Sequence, residues 1–124
     1  MKYEKLTSNE KQFYIAKIES IVHSKKLFLQ RDFSLPKLAE EISIPLHTIS
    51  YIVNSELNLH FSDYINLKRI EYFLEIISDP LWHDSTIQEI AEASGFRSRT
   101  TFYRSFVRHI GVSPSEYLKN HAAR

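Results

Sequence analysis

Arginine and hydroxyl side chains are concentrated near the carboxyl end of the sequence. Between residues 93 and 112 there is no aspartate or glutamate. The arginines and hydroxyl residues of interest in this stretch are Arg97, Arg99, Thr100, Thr101, Tyr103, Arg104 and Arg108. A guanidinium group pairs bidentately with guanine or with phosphate, and a hydroxyl bonds to either phosphate or base. These residue types predict a surface that binds nucleic acid, whereas an isolated charge run would indicate an ordinary solvated helix face.

The arginine-rich segment has the spacing of a helix. Phe102, Phe106 and Ile110 follow one another at intervals of four residues, which places them on one helix face. Arg104 and Arg108 repeat at the same interval on the opposite side. We therefore predict a helix that is anchored to an apolar core by its phenylalanines and presents arginines and hydroxyls outward.

The net charge is small, but the charges are unevenly distributed. The chain of 124 residues carries +1 at pH 7. Residues 1–92 hold ten Lys and Arg against fourteen Asp and Glu, a balance of −4, whereas residues 93–112 carry +4 and residues 113–124 carry +1. A local basic patch on a near-neutral body directs one surface to a polyanion. No apolar run approaches the ~18 residues that cross a bilayer, and the polar start is unlike a secretory signal, so we expect a cytoplasmic protein.

Every long segment has helical periodicity, and none alternates as a strand would. The sequence predicts an all-α fold of about seven helices, over residues 8–25, 35–42, 46–57, 61–78, 86–94 and 98–110 and from residue 113 onwards. The first helix is expected to bury Phe13, Tyr14, Ile18, Ile21 and Val22. The fourth is apolar around most of its circumference, with a polar strip at Lys68, Glu71 and Glu75. Such a helix must be covered on several sides, so we interpret it as a strut shared by two modules.

Capping signals mark the helix boundaries. Thr7 with Glu10 and Thr86 with Glu89 have the spacing of capping boxes. The other predicted N-caps are Ser34, Ser98 and Ser113, and the predicted stops or sharp turns are Asn58, Gly95 and Gly111.

The two halves of the chain repeat one another. Leu38 corresponds to Ile90 at an offset of 52 residues, and Val53 corresponds to Phe106 at an offset of 53. Each half is predicted to contain a helix, a tight turn and a second helix with a polar outer face, which is the helix-turn-helix unit that reads DNA. The alternative, a fragment of a tetratricopeptide-like array, fits less well because the turns are tighter and an apolar helix intervenes.

Two long motifs make the sequence similar to a known family. The first is LPKLAEEISIPLHTISYIVNSELNLHFSDYINLKRIEYF, residues 35–73, and the second is TIQEIAEASGFRSRTTFYRSFVRHIGVSPSEYL, residues 86–118. The second is the more specific, because it combines a GF turn, an F-x-x-x-F spacing and a G-V-S-P-S-E-Y tail. Over nearly its whole length the chain resembles the DNA-binding domain of the AraC/XylS family of bacterial transcription regulators.

The resemblance implies two homeodomain-like helix-turn-helix modules, joined by a central connecting helix, that bind double-stranded DNA sequence-specifically. Their recognition helices, residues 46–57 and 98–110, would enter successive major-groove segments. In the first helix the resemblance assigns DNA contacts to His47, Ser50, Tyr51 and Asn54. In and beside the second it assigns them to Arg97, Arg99, Thr100, Thr101, Tyr103, Arg104 and Arg108. The helix N-termini at Ser34 and Thr86 would face phosphates.

The first predicted recognition helix holds no Lys or Arg, so we expect the second to carry most of the affinity. The predicted domains are an N-terminal tail or linker over 1–11, a first module with the connecting helix over 12–78, and a second module over 79–124. The implied partners are DNA and RNA polymerase. The chain is expected to be a fragment of a regulator with a further sensing or dimerising domain, and a naturally short, standalone regulator is the alternative.

Other classes of function have little support in the sequence. No cofactor or metal is expected, because the six histidines lack ligand spacing and there is no cysteine. An enzyme is not expected either, because there is no glycine-rich phosphate loop or nucleophile elbow, and sequence neighbours such as His83 and Asp84 seldom face each other. The alternative function is a helical protein-docking module that does not bind DNA.

Overall fold

The computed structural model describes residues 6–121, and over this range the chain is helical, without a β-strand. The helices of this range are α1 (Ser8–Lys25), α2 (Leu35–Ile42), α3 (Leu46–Leu57), α4 (Phe61–Ile76), α5 (Ile87–Ala93), α6 (Arg99–Ile110) and α7 (Pro114–His121). Short 3-10 turns lie at Leu27–Leu29 and Pro80–Trp82. The all-α prediction is confirmed, and α4 ends two residues earlier than expected. None of the described helices has the length and apolar character needed to cross a membrane.

The chain forms two compact units. Their boundary in the sequence falls inside α4, between Ile65 and Asn66. The first unit thus holds α1, α2, α3 and the first residues of α4, while the second holds the remainder of α4 with α5, α6 and α7. The predicted modules, 12–78 and 79–124, divide after α4 instead, and that functional division stays a prediction.

In the first unit, α1 buries a narrower stripe than the sequence suggested. Its buried residues are Ile15, Ile18 and Val22, at the spacing of one helix face. The expectation that Phe13 is buried is wrong, because 66% of its surface is exposed. Phe13 precedes Ile15 by two residues, or about 200° around the helix, so it points away from the core. Tyr14 and Ile21 are half-buried at the edges of the stripe.

The turns of the first unit use left-handed backbone conformations. Ser43 ends α2 with φ of 56°, and Asn58 ends α3 with φ of 55°. The prediction for Asn58 is confirmed, since asparagine tolerates this region better than most side chains. Ile49, Ile52 and Val53 of α3 are buried, whereas His47 and Asn54 are exposed.

In the second unit, phenylalanines from three segments form the core. Phe73 of α4 lies against Phe102 and Phe106 of α6, with ring centroids 5.0 and 5.7 Å apart. Phe96, in the turn that precedes α6, contacts Phe102 at 5.2 Å. These fully or almost fully buried rings fix which face of α6 points inward.

Local signals set the ends of α5 and α6. The capping box of Thr86 and Glu89 is present with both reciprocal hydrogen bonds. Gly95 has φ of 101° and makes the turn between α5 and α6, and Ser98 caps α6 through the Thr101 N–H. Gly111 ends α6 with φ of 93°, a conformation that favours glycine.

A buried arginine interrupts the apolar side of α4. Arg69 is only 8% exposed; it donates from Nη1 to Asn66 Oδ1 at 3.1 Å, and its guanidinium lies 5.9 Å from the centroid of the Phe96 ring. Burial lowers the pKa of Arg69, although arginine stays protonated in proteins. The predicted polar strip is correct for Glu71 and Glu75, which are exposed, but it did not include this residue.

Candidate nucleic-acid interface

Helix α6 has one buried and one exposed face. Phe102, Ser105 and Phe106 are buried. At about 100° per residue, the opposite face is shared by positions spaced i, i+3, i+4 and i+7. Those positions are Thr100, Tyr103, Arg104 and Val107, and all four are exposed. The core therefore orients α6 so that its central outward surface mixes a cation, hydroxyls and apolar groups.

Three of the four arginines of this surface have no side-chain partner among the described residues. Within residues 6–121, Arg97, Arg99 and Arg104 make no ion pair and no side-chain hydrogen bond. A guanidinium in that state keeps its five N–H donors for a ligand. Arg108 is also exposed, but it lies in the last turn of α6, where a cation interacts favourably with the helix dipole.

Two exposed lysines of the first unit are paired with carboxylates instead. Lys37 Nζ lies 2.5 Å from Asp32 Oδ2, and Lys25 pairs with Glu41. The positive potential of these lysines is partly cancelled by their acidic partners, whereas no carboxylate lies in the sequence between residues 93 and 112.

Hydroxyl groups take two roles around the start of α6. Ser98 Oγ accepts the N–H of Thr101 and donates to Thr101 Oγ1, both at 3.0 Å. Thr101 is therefore engaged in the helix cap and lies at the margin of the outward face. Thr100 has no such bond, and a surface hollow of about 270 Å³ is lined by Arg99, Thr100, Tyr103 and Arg104. Four of the seven predicted contact residues of this segment thus line this hollow.

The corresponding surface of α3 is less polar and less exposed. His47 and Asn54 are exposed, whereas Ser50 and Tyr51 are half-buried. Lys11 of α1 places its Nζ 5.2 Å from the centroid of the Tyr51 ring, a cation–π distance. Lys11 of α1 thus places a positive charge beside α3, which has no Lys or Arg of its own.

The two predicted phosphate-contact residues differ in how their side chains are used. Ser34 is the N-cap of α2, yet its side chain makes no capping hydrogen bond. Thr86 donates its N–H to Glu89 Oε1 at 2.8 Å and accepts the Glu89 N–H at 3.1 Å. A carboxylate therefore already occupies part of the α5 N-terminus. The Ser34 side chain makes no capping hydrogen bond, so it is more available for a phosphate contact than the Thr86 side chain.

Sequence reasoning missed two residues of these surfaces. Val107 was left out because valine carries no hydrogen-bonding group, although its spacing from Tyr103 and Arg104 places it on the outward face. Lys11 could not have been found by helical periodicity, since it reaches Tyr51 from another helix.

Comparisons with known proteins identify the family and the fold of the chain. A family model described as a helix-turn-helix domain matches residues 38–120, which include all of α3, α4, α5 and α6. The chain is 27% identical over 112 residues to the melibiose operon regulatory protein of Escherichia coli K12, covering 90% of this chain and 35% of that protein. It is also 27% identical over 110 residues to an uncharacterized HTH-type transcriptional regulator of Staphylococcus aureus MSSA476, covering 89% of this chain and 14% of that protein.

Two solved structures have the same fold. One is a protein of unknown function from Listeria innocua, with a TM-score of 0.70 and 28% identity over 85% of this chain and 94% of that chain. The other is the C-terminal domain of AraT, a response regulator from Geobacillus stearothermophilus, with a TM-score of 0.70 and 25% identity over 86% and 84% of the two chains. The chain spans about a third of the melibiose regulator and about a seventh of the Staphylococcus protein.

Proposed function

We propose that α6 is the main DNA-reading helix of this chain. The chain belongs to the AraC-type family of helix-turn-helix DNA-binding transcription regulators, and the proposal follows from that membership. In this proposal α3 is a second, weaker reader, and the two helices enter successive major-groove segments. The observation that carries the proposal is the set of unpaired, exposed guanidiniums of Arg97, Arg99 and Arg104 beside a helix face whose other side is fixed by buried phenylalanines.

The chemistry of α6 suits duplex DNA. Arg99 and Arg104 can each form a bidentate pair with guanine O6 and N7 or with a phosphate. Thr100 and Tyr103 can donate to phosphate or base from the same hollow, while Arg97 and Arg108 lie beside this central group. Thr101 adds a hydroxyl at the helix start.

The proposed role of α3 follows from its composition. His47 and Asn54 are the exposed groups that can bond to bases, and asparagine matches adenine N6 and N7. Ser50 and Tyr51 offer hydroxyls, and Lys11 adds a cation next to the Tyr51 ring. Ser34 at the α2 N-terminus is the better candidate of the two helix starts for a phosphate contact, with Thr86 as the second.

The experiment is a binding titration on a duplex recovered by selection from a randomised pool. Arg104→Ala and Arg99→Ala should each weaken binding by about 1–3 kcal/mol if the side chain pairs with a base. If it contacts a phosphate instead, the slope of log affinity against log salt should fall by about 0.9. Fluorescence anisotropy at several salt concentrations measures both quantities.

Lys17→Ala is the matched control, since Lys17 is an exposed cation on α1 outside the proposed contacts. It should change neither affinity nor salt slope by as much as the arginine variants. Unchanged binding by both arginine variants would remove α6 from the interface.

One relative is named as an operon regulatory protein and the other as an HTH-type transcriptional regulator, and this supports a wider proposal for the whole protein. DNA binding by this chain would serve control of transcription in the bacterial cytoplasm, with RNA polymerase as a further partner.

A further inference from the structure

We propose that Tyr103 and Val107 form an apolar strip on α6 that reads thymine methyl groups in the major groove. The inference rests on the proposed function, because it assumes that the outward face of α6 meets DNA. It adds that α6 prefers thymine at some positions of the DNA site and that Val107 contributes to this preference.

The strip lies at the centre of the outward face. Tyr103 is 54% exposed and Val107 is 37% exposed, and they are four residues apart on α6. Val107 is seven residues from Thr100, which brings the two within about 20° around the helix axis. The methyl group of Thr100 therefore continues the apolar strip toward the start of α6.

This spacing is the one with which recognition helices reach base edges. Homeodomain helices present base-contacting side chains at i, i+3, i+4 and i+7. On α6 these positions are Thr100, Tyr103, Arg104 and Val107. Val107 occupies the last of them, so a helix seated in the groove would bring it to the bases together with Arg104.

The charges around the strip determine what can cover it. Arg99 and Arg104 are exposed and unpaired beside Tyr103, so the surface attracts an anionic partner. The partner must also present apolar groups between its anionic groups. Duplex DNA does so only at thymine, whose C5 methyl projects into the major groove while the phosphates line its edges.

The apolar strip and Arg104 are expected to select different bases of the bound DNA. Arg104 favours guanine, while the apolar strip favours thymine at neighbouring positions. Tyr103 and Val107 are separated by about 6 Å along the helix axis. That distance is close to two steps of about 3.4 Å along one DNA strand, so the preferred thymines should lie within a few adjacent base pairs.

The test uses a duplex recovered by selection from a randomised pool and the same duplex with thymine replaced by uracil in the segment bound by α6. Uracil pairs as thymine does but lacks the methyl group. Wild-type protein should bind the uracil duplex about fourfold more weakly per contacted methyl. Fluorescence anisotropy gives both dissociation constants.

The Val107→Ala and Tyr103→Ala variants test whether the strip is responsible. Both residues are exposed, so the substitutions leave the core intact. Each variant should bind the thymine duplex more weakly and show a smaller thymine-to-uracil ratio than wild type, and the double variant should show the smallest ratio. Leu81→Ala, which removes an apolar residue that is 87% exposed in the second unit, is the matched control and should keep the full ratio.

Two results would overturn the inference. One is equal binding of the thymine and uracil duplexes by wild type, and the other is a full wild-type ratio in the double variant. Because the ratio is compared between variants, an effect of uracil on DNA flexibility alone would persist in the double variant and count against the strip. Failure of the protein to recover any duplex from the pool would contradict the proposed function itself, which is a different outcome.

Discussion

Replacing Phe106 with alanine should destabilise the second unit strongly, because this ring is fully buried at the centre of its core. Phe106 lies 5.7 Å from Phe73, 5.8 Å from Phe102 and 5.7 Å from Tyr117, measured between ring centroids. A buried phenylalanine-to-alanine change costs about 3–5 kcal/mol, and each aromatic pair contributes about 0.5–1.5 kcal/mol beyond its buried area. With three such pairs broken, we expect a loss of about 4 kcal/mol.

The assay is urea unfolding followed by circular dichroism at the helix signal. With a denaturant slope of about 2 kcal/mol per molar, the transition should move to lower urea by about 2 M. Tyr103→Ala on the same helix is the control, because its ring is 54% exposed and surface substitutions usually change stability by less than ~0.5 kcal/mol. An unchanged midpoint for Phe106→Ala, or an equal loss for Tyr103→Ala, would refute the assignment of the two faces of α6.

Two further outcomes are expected in the first unit. Lys11→Ala should lower the salt slope of DNA binding by about 0.9 if the ammonium beside Tyr51 neutralises a phosphate, and salt titration of this variant against Lys17→Ala measures the difference. An identical slope for the two variants would place Lys11 outside the interface. Ser43→Gly should stabilise the protein by about 1 kcal/mol, because Ser43 holds φ of 56° at the end of α2 and glycine adopts this region without steric cost. Thermal unfolding measures the change, and a lower melting temperature would show that the serine side chain contributes contacts that outweigh the backbone strain.

Features with a local cause were predictable from the sequence. The capping box of Thr86 and Glu89, the Ser98 cap and the Gly111 stop each depend on residues within four positions of one another. The buried face of α6 was predictable as well, because phenylalanines at four-residue spacing leave only one way to orient that helix.

Features that depend on tertiary context were not predictable. The apolar residues of α1 cover a wide arc, so periodicity alone did not show that Ile15 is buried while Phe13 is exposed. Arg69 is buried because Asn66 and the Phe96 ring receive its guanidinium, and a hydropathy pattern carries no information on such partners. The pairing of Lys11 with Tyr51 likewise joins two helices that are distant in the sequence.

The candidate site likewise contains residues that were predicted from the sequence and one that was not. The cations and hydroxyls of α6 were identified from their types and spacing, and the structure brings Arg99, Thr100, Tyr103 and Arg104 around one hollow. Val107 was not predicted as a contact because valine has no hydrogen-bonding group, although its position relative to Arg104 follows from the sequence.

The most direct measurement is an NMR titration of the isotope-labelled chain with a duplex recovered by selection. Backbone amide signals of Thr100, Tyr103, Arg104 and Val107 should shift or broaden most, with smaller changes at His47 and Asn54, while the signals of Phe13 and Leu81 should stay unchanged. Shifts concentrated around Phe13 and Leu81, with α6 unaffected, would contradict the assignment of α6 as the DNA-reading helix.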